Sequence, residues 1–201
     1  IACLNAFAAK CLSPALRHFR QHHPEFELRL TPLAPTDRLE LREFDVAIWY
    51  GHNDWHDFDA VQIASEEIFP VCAPELLQSG LPLRTPEDLK AYPIVRTVSP
   101  IITDDWPFWL QQAGADIDAF SDEIYCETLG FSMNAILDGL GVGIGRALLV
   151  QDDLASGRLV APFDLRCPSY AGYHVLSRQD RSGLPKVRIF KQWLLSHFGG
   201  R

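Results

Sequence analysis

Phe44-Asp45-Val46-Ala47-Ile48-Trp49-Tyr50 is an apolar run that stops abruptly in Gly51-His52-Asn53-Asp54-Trp55, and it restricts the fold more tightly than any other stretch. Val46, Ile48 and Tyr50 alternate with Ala47 and Trp49, so both faces are non-polar. A strand with two apolar faces belongs inside a parallel sheet covered by helices on each side. The polar, glycine-bearing loop after it then marks the carboxyl end of a strand, where open α/β sheets take small ligands.

The surrounding elements have the spacing of βαβ units. Ile1 to Leu4 reads as a first strand, followed by a helix through about His22 that Pro24 ends, with Leu12, Leu16 and Phe19 on its apolar side. Phe26 to Leu30 alternates as a second strand. Pro32 and Pro35 fill the loop before a short helix over about residues 37–43, and the run described above is the third strand. Ile63 to Val71 reads as one further strand, Pro74 opens a helix to about Gln78, and Leu81-Pro82-Leu83 is a turn.

Beyond that turn, Thr85-Pro86-Glu87-Asp88 is a helix start, with Thr85 as N-cap and Asp88 placed for a capping-box contact. Strands are predicted at Pro93–Arg96, Glu123–Cys126 and Gly141–Gly145. Helices are predicted from Trp106 to Ala113, stopped by Gly114, and from Thr128 to Asp138, closed by Gly139. Tyr173 to Ser177 is a late strand, and Pro185 opens an amphipathic last helix with Val187, Phe190, Trp193, Leu194 and Phe198 on one side. That helix needs a sheet to cover. The order predicts an α/β chain of two lobes, residues 1–70 with 176–201 and residues 71–175, joined by crossover strands at about Ile68 to Cys72 and Tyr173 to Ser177.

Composition narrows the class. The 201 residues are 47% apolar and 22% charged, which is ordinary for a globular protein, so disorder is not the default. A formal net charge of −8 argues against a nucleic-acid surface, which needs clustered Lys and Arg. No apolar run approaches the ~20 residues of a membrane span and no signal-peptide pattern opens the chain, which favours the cytoplasm and gives no membrane partner. The five cysteines, Cys3, Cys11, Cys72, Cys126 and Cys167, lack CxxC spacing and read as reduced, mostly buried thiols. The chain begins without Met, inside an apparent strand, which predicts a piece of a longer protein.

Several motifs occur in one order: Phe19 to Leu30, Phe44 to Trp55, Phe69 to Leu77, Leu83 to Leu89, Asp138 to Gly145 and Gly157 to Asp164. Together they resemble the effector-binding domain of LysR-type transcriptional regulators, in the branch of the glycine-cleavage and β-lactamase regulators. The likeness covers nearly the whole chain. It implies two Rossmann-like lobes in the type 2 periplasmic-binding-protein arrangement, with a small-molecule effector, such as an amino acid or small carboxylate, held between them. It also implies a homodimer or homotetramer, formed through the first helix and second strand. DNA would be bound only by an N-terminal winged helix-turn-helix that this chain lacks. Two positions depart from that branch: Trp49 stands where it carries a basic residue, and Asn5-Ala6 where Ser or Thr often helps hold the effector.

In such a fold the ligand meets carboxyl ends of strands and amino ends of helices, whose unpaired N–H groups suit an anion. The candidates are Asn5 and Ala6 after the first strand, Thr31 after the second and Tyr50 after the third. In the other lobe they are Thr97 after a strand, Thr128 at a helix start, and Arg146 after Gly145. Each has a plainer reading. Thr128 serves equally as an N-cap, Thr31, Tyr50 and Thr97 as loop or packing residues, and Arg146 as a surface cation.

Catalytic patterns are weaker. Gly130-Phe131-Ser132 half-matches a nucleophile elbow but lacks its second glycine and its leading strand, so Ser132 reads as a helical residue. Gly139, Gly141, Gly143 and Gly145 have the helix and strand in the wrong order for a dinucleotide loop and read as a helix stop before a tightly packed strand. His18 with His22, and His52 with His56 near Asp54 and Asp57, have ligand-like spacing without a third ligand, so neither a metal nor another cofactor is expected. Asp104-Asp105 and Asp152-Asp153 read as helix caps, and Trp106 and Trp109 as core. The competing functional class is a two-lobed solute-binding protein or a small enzyme of similar architecture.

Overall fold

The computed structural model describes residues 1–39, 43–52, 55–78, 83–102, 104–115 and 120–199. Part of the short helix expected over 37–43, the loop residues Asn53 and Asp54, and the Leu81-Pro82 turn lie outside the described residues. The chain divides into two compact units, 1–66 with 169–201, and 67–168. Against the expected limits, both divisions fall earlier in the chain.

The first unit is built on a five-stranded sheet of order β2-β1-β3-β10-β4. Its strands are β1 (Ala2–Leu4), β2 (Thr31–Leu33), β3 (Ala47–Gly51), β4 (Phe58–Ala64) and β10 (Gly172–Arg178). β1 runs parallel to β2 and β3, and β10 lies antiparallel between β3 and β4. β10 pairs along its whole length, which places the late crossing before this strand instead of inside it. The first helix is interrupted: α1 (Asn5–Phe7) passes through a π turn, Ala8–Leu12, into α2 (Ser13–His22). Pro14 has no N–H to give to the turn before it, which accounts for the widened register there. α2 and the last helix, α7 (Pro185–Phe198), meet through Phe19, whose ring lies 5.1 Å from Phe190 and 5.0 Å from Trp193.

Two expectations for this unit are corrected. The alternating segment Phe26 to Leu30 is not a strand; the ladder begins only at Thr31, where the Thr31 N–H donates to the Ile1 carbonyl at 2.8 Å. β1 itself starts at Ala2, so the earlier residues have no strand beside them. The single strand expected over 63–71 is two strands, β4 in this sheet and β5 (Glu67–Val71) in the other.

The second unit has its own sheet, order β7-β6-β8-β5-β9, from β5 (Glu67–Val71), β6 (Ile94–Thr97), β7 (Glu123–Cys126), β8 (Val142–Arg146) and β9 (Cys167–Pro168). Both faces are covered. Ile68, Ile94, Val142 and Ile144 point to one side with Trp106 and Trp109 of α4 (Asp105–Ala113), and Phe69, Val71 and Val95 to the other with Met133 and Ile136 of α5 (Leu129–Leu137). Gly143 and Gly145 fall on the α5 side of β8. A Cβ on Gly143 would strike the Ile136 side chain and one on Gly145 the Val71 methyls, so the alternating glycines let side chains pack against the sheet itself. Gly139 ends α5 with φ of 74°, a left-handed stop.

The remaining helices are α3 (Pro74–Gln78), a 3₁₀ turn at Pro86–Ala91, and α6 (Ala147–Ala155). The capping box is present: the Thr85 N–H donates to the Asp88 carboxylate at 2.9 Å, and backbone donors there hold that carboxyl below its usual range. α6 was not expected, and it corrects the reading of Asp152-Asp153 as caps. Both sit near its carboxyl end, with Asp153 buried and ion-paired to Arg158. All five cysteines are free, and all but Cys126 are buried. Among the described residues no helix is long and apolar enough to cross a membrane.

His174 on β10 gives the first unit a pH dependence. It is 4% exposed, its Nδ1 lies 3.1 Å from the Gly172 carbonyl, and its ring meets Trp55 edge-on at 4.8 Å. Burial lowers its pKa, partly offset by the Gly172 carbonyl. The unfolded chain therefore takes up this proton first, and stability falls as pH drops through the unfolded value of about 6.5, by at most about 1.4 kcal/mol per pH unit. In urea titrations between neutral and mildly acidic pH, His174→Gln should lose less stability on acidification than the parent; equal losses would show that His174 is not the group responsible.

Candidate functional site

Asn5, Ala6 and Tyr50 share one edge of the first sheet. β1 and β3 are in register from Ala2 with Ala47 and Cys3 with Ile48, so Asn5 follows β1 at the level that Tyr50 reaches on β3. Asn5 is exposed and opens α1, and Ala6 is half-buried beside it. The Tyr50 ring is buried, with its hydroxyl 2.6 Å from Ser169 Oγ, tying the end of β3 to the segment that enters β10. Nearby in the chain, the His52 and Tyr170 rings lie 5.1 Å apart, tilted by 33°. Ser169 was missed in the sequence because its partner lies 119 residues away and no local pattern marks it.

Thr31 does not join this group. It begins β2 and pairs with Ala2, two positions before β1 reaches its carboxyl end at Leu4. The error follows from the misplaced second strand: a strand ending at Leu30 would have put Thr31 on the same edge as Asn5.

In the second unit Thr97, Thr128 and Arg146 do converge. Thr97 ends β6, Arg146 ends β8, and Thr128 caps α5, its Oγ1 accepting from the Phe131 N–H at 3.3 Å. Thr97 Oγ1 lies 2.6 Å from Ser132 Oγ, and the Ser132 hydroxyl donates to the Thr128 carbonyl at 3.3 Å. Ser132 is a buried helical residue held by these two bonds, as its position inside α5 leads one to expect. One small cavity is lined by Thr97, Asp104, Asp105, Trp106, Leu129 and Arg146 among others. Val98, directly after Thr97, and Phe131, three residues after Thr128, are exposed apolar groups.

The charges here are committed to one another. Arg146 is 1% exposed and donates to the Asp105 carboxylate at 2.5 Å, so it is not the surface cation that its sequence allowed. Burial pushes the Asp105 carboxyl up, against the opposing pull of Arg146. Arg96 on β6 is ion-paired to Asp104 and donates to Glu123 on β7 at 2.6 Å. The Tyr125 hydroxyl, and then Arg96, hold Glu123 below its ordinary range. Asp104 is the expected N-cap, its Oδ1 accepting from the Trp106 N–H at 3.2 Å, whereas Asp105 lies inside α4 and serves Arg146. Sequence reasoning assigned Asp105 no such role, since the two partners lie 41 residues apart.

Elsewhere, the His18 and His22 rings pack 4.3 Å apart, His18 Nδ1 accepts from the Trp193 indole at 3.3 Å, and His22 Nδ1 lies 2.9 Å from the His18 carbonyl. Among the described residues no group of three or more His, Cys, Asp or Glu is placed to hold a metal ion.

The chain matches the LysR substrate binding domain over residues 1–199. It is 28% identical over 197 residues to the glycine cleavage system transcriptional activator of Escherichia coli K12, covering 98% of this chain and 63% of that protein. It is 30% identical over 190 residues to the transcriptional activator AmpR of Rhodobacter capsulatus, covering 94% of this chain and 62% of that one. The chain thus spans just under two-thirds of the length of these relatives, both of them transcriptional activators. Its structure resembles the effector domain of AmpR from Pseudomonas aeruginosa, with a TM-score of 0.83 at 26% identity over 97% of this chain and 92% of that one. The regulatory domain of CrgA from Neisseria meningitidis shares the fold, with a TM-score of 0.78 at 18% identity over 98% and 97%. The two-unit, periplasmic-binding-protein-like α/β architecture expected from the sequence is that of these domains, and the chain belongs to the LysR substrate binding domain family.

Proposed function

We propose that this chain is the effector-binding part of a transcriptional regulator, and that the strand-end residues Asn5, Ala6 and Tyr50 in the first unit, and Thr97, Thr128 and Arg146 in the second, serve small-molecule binding. The match to the LysR substrate binding domain over residues 1–199 is the observation that carries this reading. Arg146 acts indirectly, by holding Asp105 beside Thr97. Binding works as a signal only through different affinities for two arrangements of the protein, typically about 1–3 kcal/mol of coupling. In the whole protein the chain would act as a cytoplasmic homodimer or homotetramer, with DNA contacted by an N-terminal winged helix-turn-helix outside these 201 residues. That division suits the net charge of −8.

A thermal-shift and calorimetric screen of amino acids, their amides and small carboxylates tests the reading. At a free concentration of about 100 times its Kd a true effector stabilises the folded chain by about 2.7 kcal/mol, readily seen as a rise in Tm. Tyr50→Phe and Thr97→Val should each lower the affinity without unfolding the protein. A well-folded chain indifferent to a broad panel would overturn the proposal.

A further inference from the structure

We infer that the second unit's face around Thr97 receives a hydrogen-bond donor on an uncharged or cationic group, such as an amide or ammonium, and turns away a carboxylate. This rests on the effector-binding reading above and specifies its ligand chemistry.

Proton placement in the Thr97–Ser132 pair sets the polarity. Ser132 spends its only hydroxyl proton on the Thr128 carbonyl. The 2.6 Å contact between the two hydroxyls is then made with the Thr97 proton, donated to Ser132 Oγ. What Thr97 has left for a ligand is lone pairs, which accept from N–H or O–H and repel a carboxylate oxygen.

The charges act in the same direction. Two carboxylates, Asp104 and Asp105, line the same cavity as Thr97. The guanidiniums that would draw an anion are already answered, Arg146 by Asp105 and Arg96 by Asp104 and Glu123. Three acids against two arginines leave this cluster with one negative charge in excess. At the amino end of α5 the Phe131 N–H is taken by the Thr128 hydroxyl and the Ser132 N–H by the Thr128 carbonyl, so only the first two N–H groups of the helix, those of Leu129 and Gly130, act in the opposite direction.

The test is an amide-resolved NMR titration of this chain with three probes of similar size, methylammonium, acetamide and acetate, at matched ionic strength. Methylammonium or acetamide should shift the Thr97, Val98 and Ser132 amides saturably while acetate leaves them in place; the stronger of the two shows whether charge or hydrogen bonding dominates. Thr97→Val should abolish the response. Asp104→Asn, which keeps an oxygen to cap α4, should weaken the methylammonium response about twofold to fivefold, the reach of a solvent-exposed charge. Acetate acting most strongly on these amides, or none of the three acting, would overturn the inference. The effector-binding reading stands or falls separately, on the thermal-shift panel.

Discussion

Asp105→Ala is expected to destabilise the second unit by about 3–5 kcal/mol, because it removes the carboxylate that answers the charge of the buried Arg146 guanidinium. Arg146 is 1% exposed and Asp105 8%, so water cannot replace the lost carboxylate. The cost comes from the charge left behind and not from the intrinsic strength of the ion pair. Accordingly, adding Arg146→Met to the Asp105→Ala background should restore stability to within about 1–2 kcal/mol of the parent, since a buried pair exchanged for apolar groups is often close to neutral. Urea unfolding of the parent, the single variant and the double variant measures both quantities. A single variant that loses less than about 1 kcal/mol would mean that Arg146 finds another partner or reaches solvent.

The second large effect is expected at Trp106. Its ring is 1% exposed, meets Trp109 and Phe120 edge-on at 6.2 and 5.5 Å, and its indole N–H donates to the Val95 carbonyl at 3.1 Å. Trp106→Ala should cost about 3–5 kcal/mol, combining lost burial with the cavity left behind. Trp106→Phe keeps most of the ring and loses the indole hydrogen bond, for about 0.5–1.5 kcal/mol. Since Trp106 also forms a wall of the cavity beside Thr97, the alanine variant should lose ligand response along with stability. The phenylalanine variant should largely retain it. Denaturant unfolding with near-ultraviolet circular dichroism, repeated with the best ligand from the screen, separates the two; full stability in Trp106→Ala would contradict the packing described for α4.

Much of this was legible in the sequence for identifiable physical reasons. The doubly apolar β3 predicts a covered parallel strand; β3 is buried and runs parallel to β1, although β10 on its other side is antiparallel. The Thr85-Pro86 and Thr128 caps and the glycine stops at 114 and 139 place helix ends to within a residue or two. What failed was decided by tertiary pairing. Phe26 to Leu30 has strand periodicity but no neighbouring strand, so its reading displaced Thr31 to the wrong edge. Helix α6 begins directly after β8 with neither a loop nor a capping side chain, and thus offers none of the usual start signals. The site partners Ser169 and Asp105 sit far in sequence from Tyr50 and Arg146. Their roles depend on the sheet edges that bring them together, which local pattern does not encode.

The interrupted build of the first unit fixes an order of events on the ribosome. Its sheet places β10, which is synthesised after the whole second unit, between β3 and β4, whereas the second unit is a continuous stretch, 67–168, that holds every strand of its own sheet. The second unit can therefore mature first during translation, while the segment before it waits with β3 and β4 unjoined until the nascent chain delivers the strand between them. A nascent polypeptide stalled with residue 168 just clear of the ribosomal exit tunnel should accordingly expose a protease-resistant core over 67–168 and a digestible segment before it.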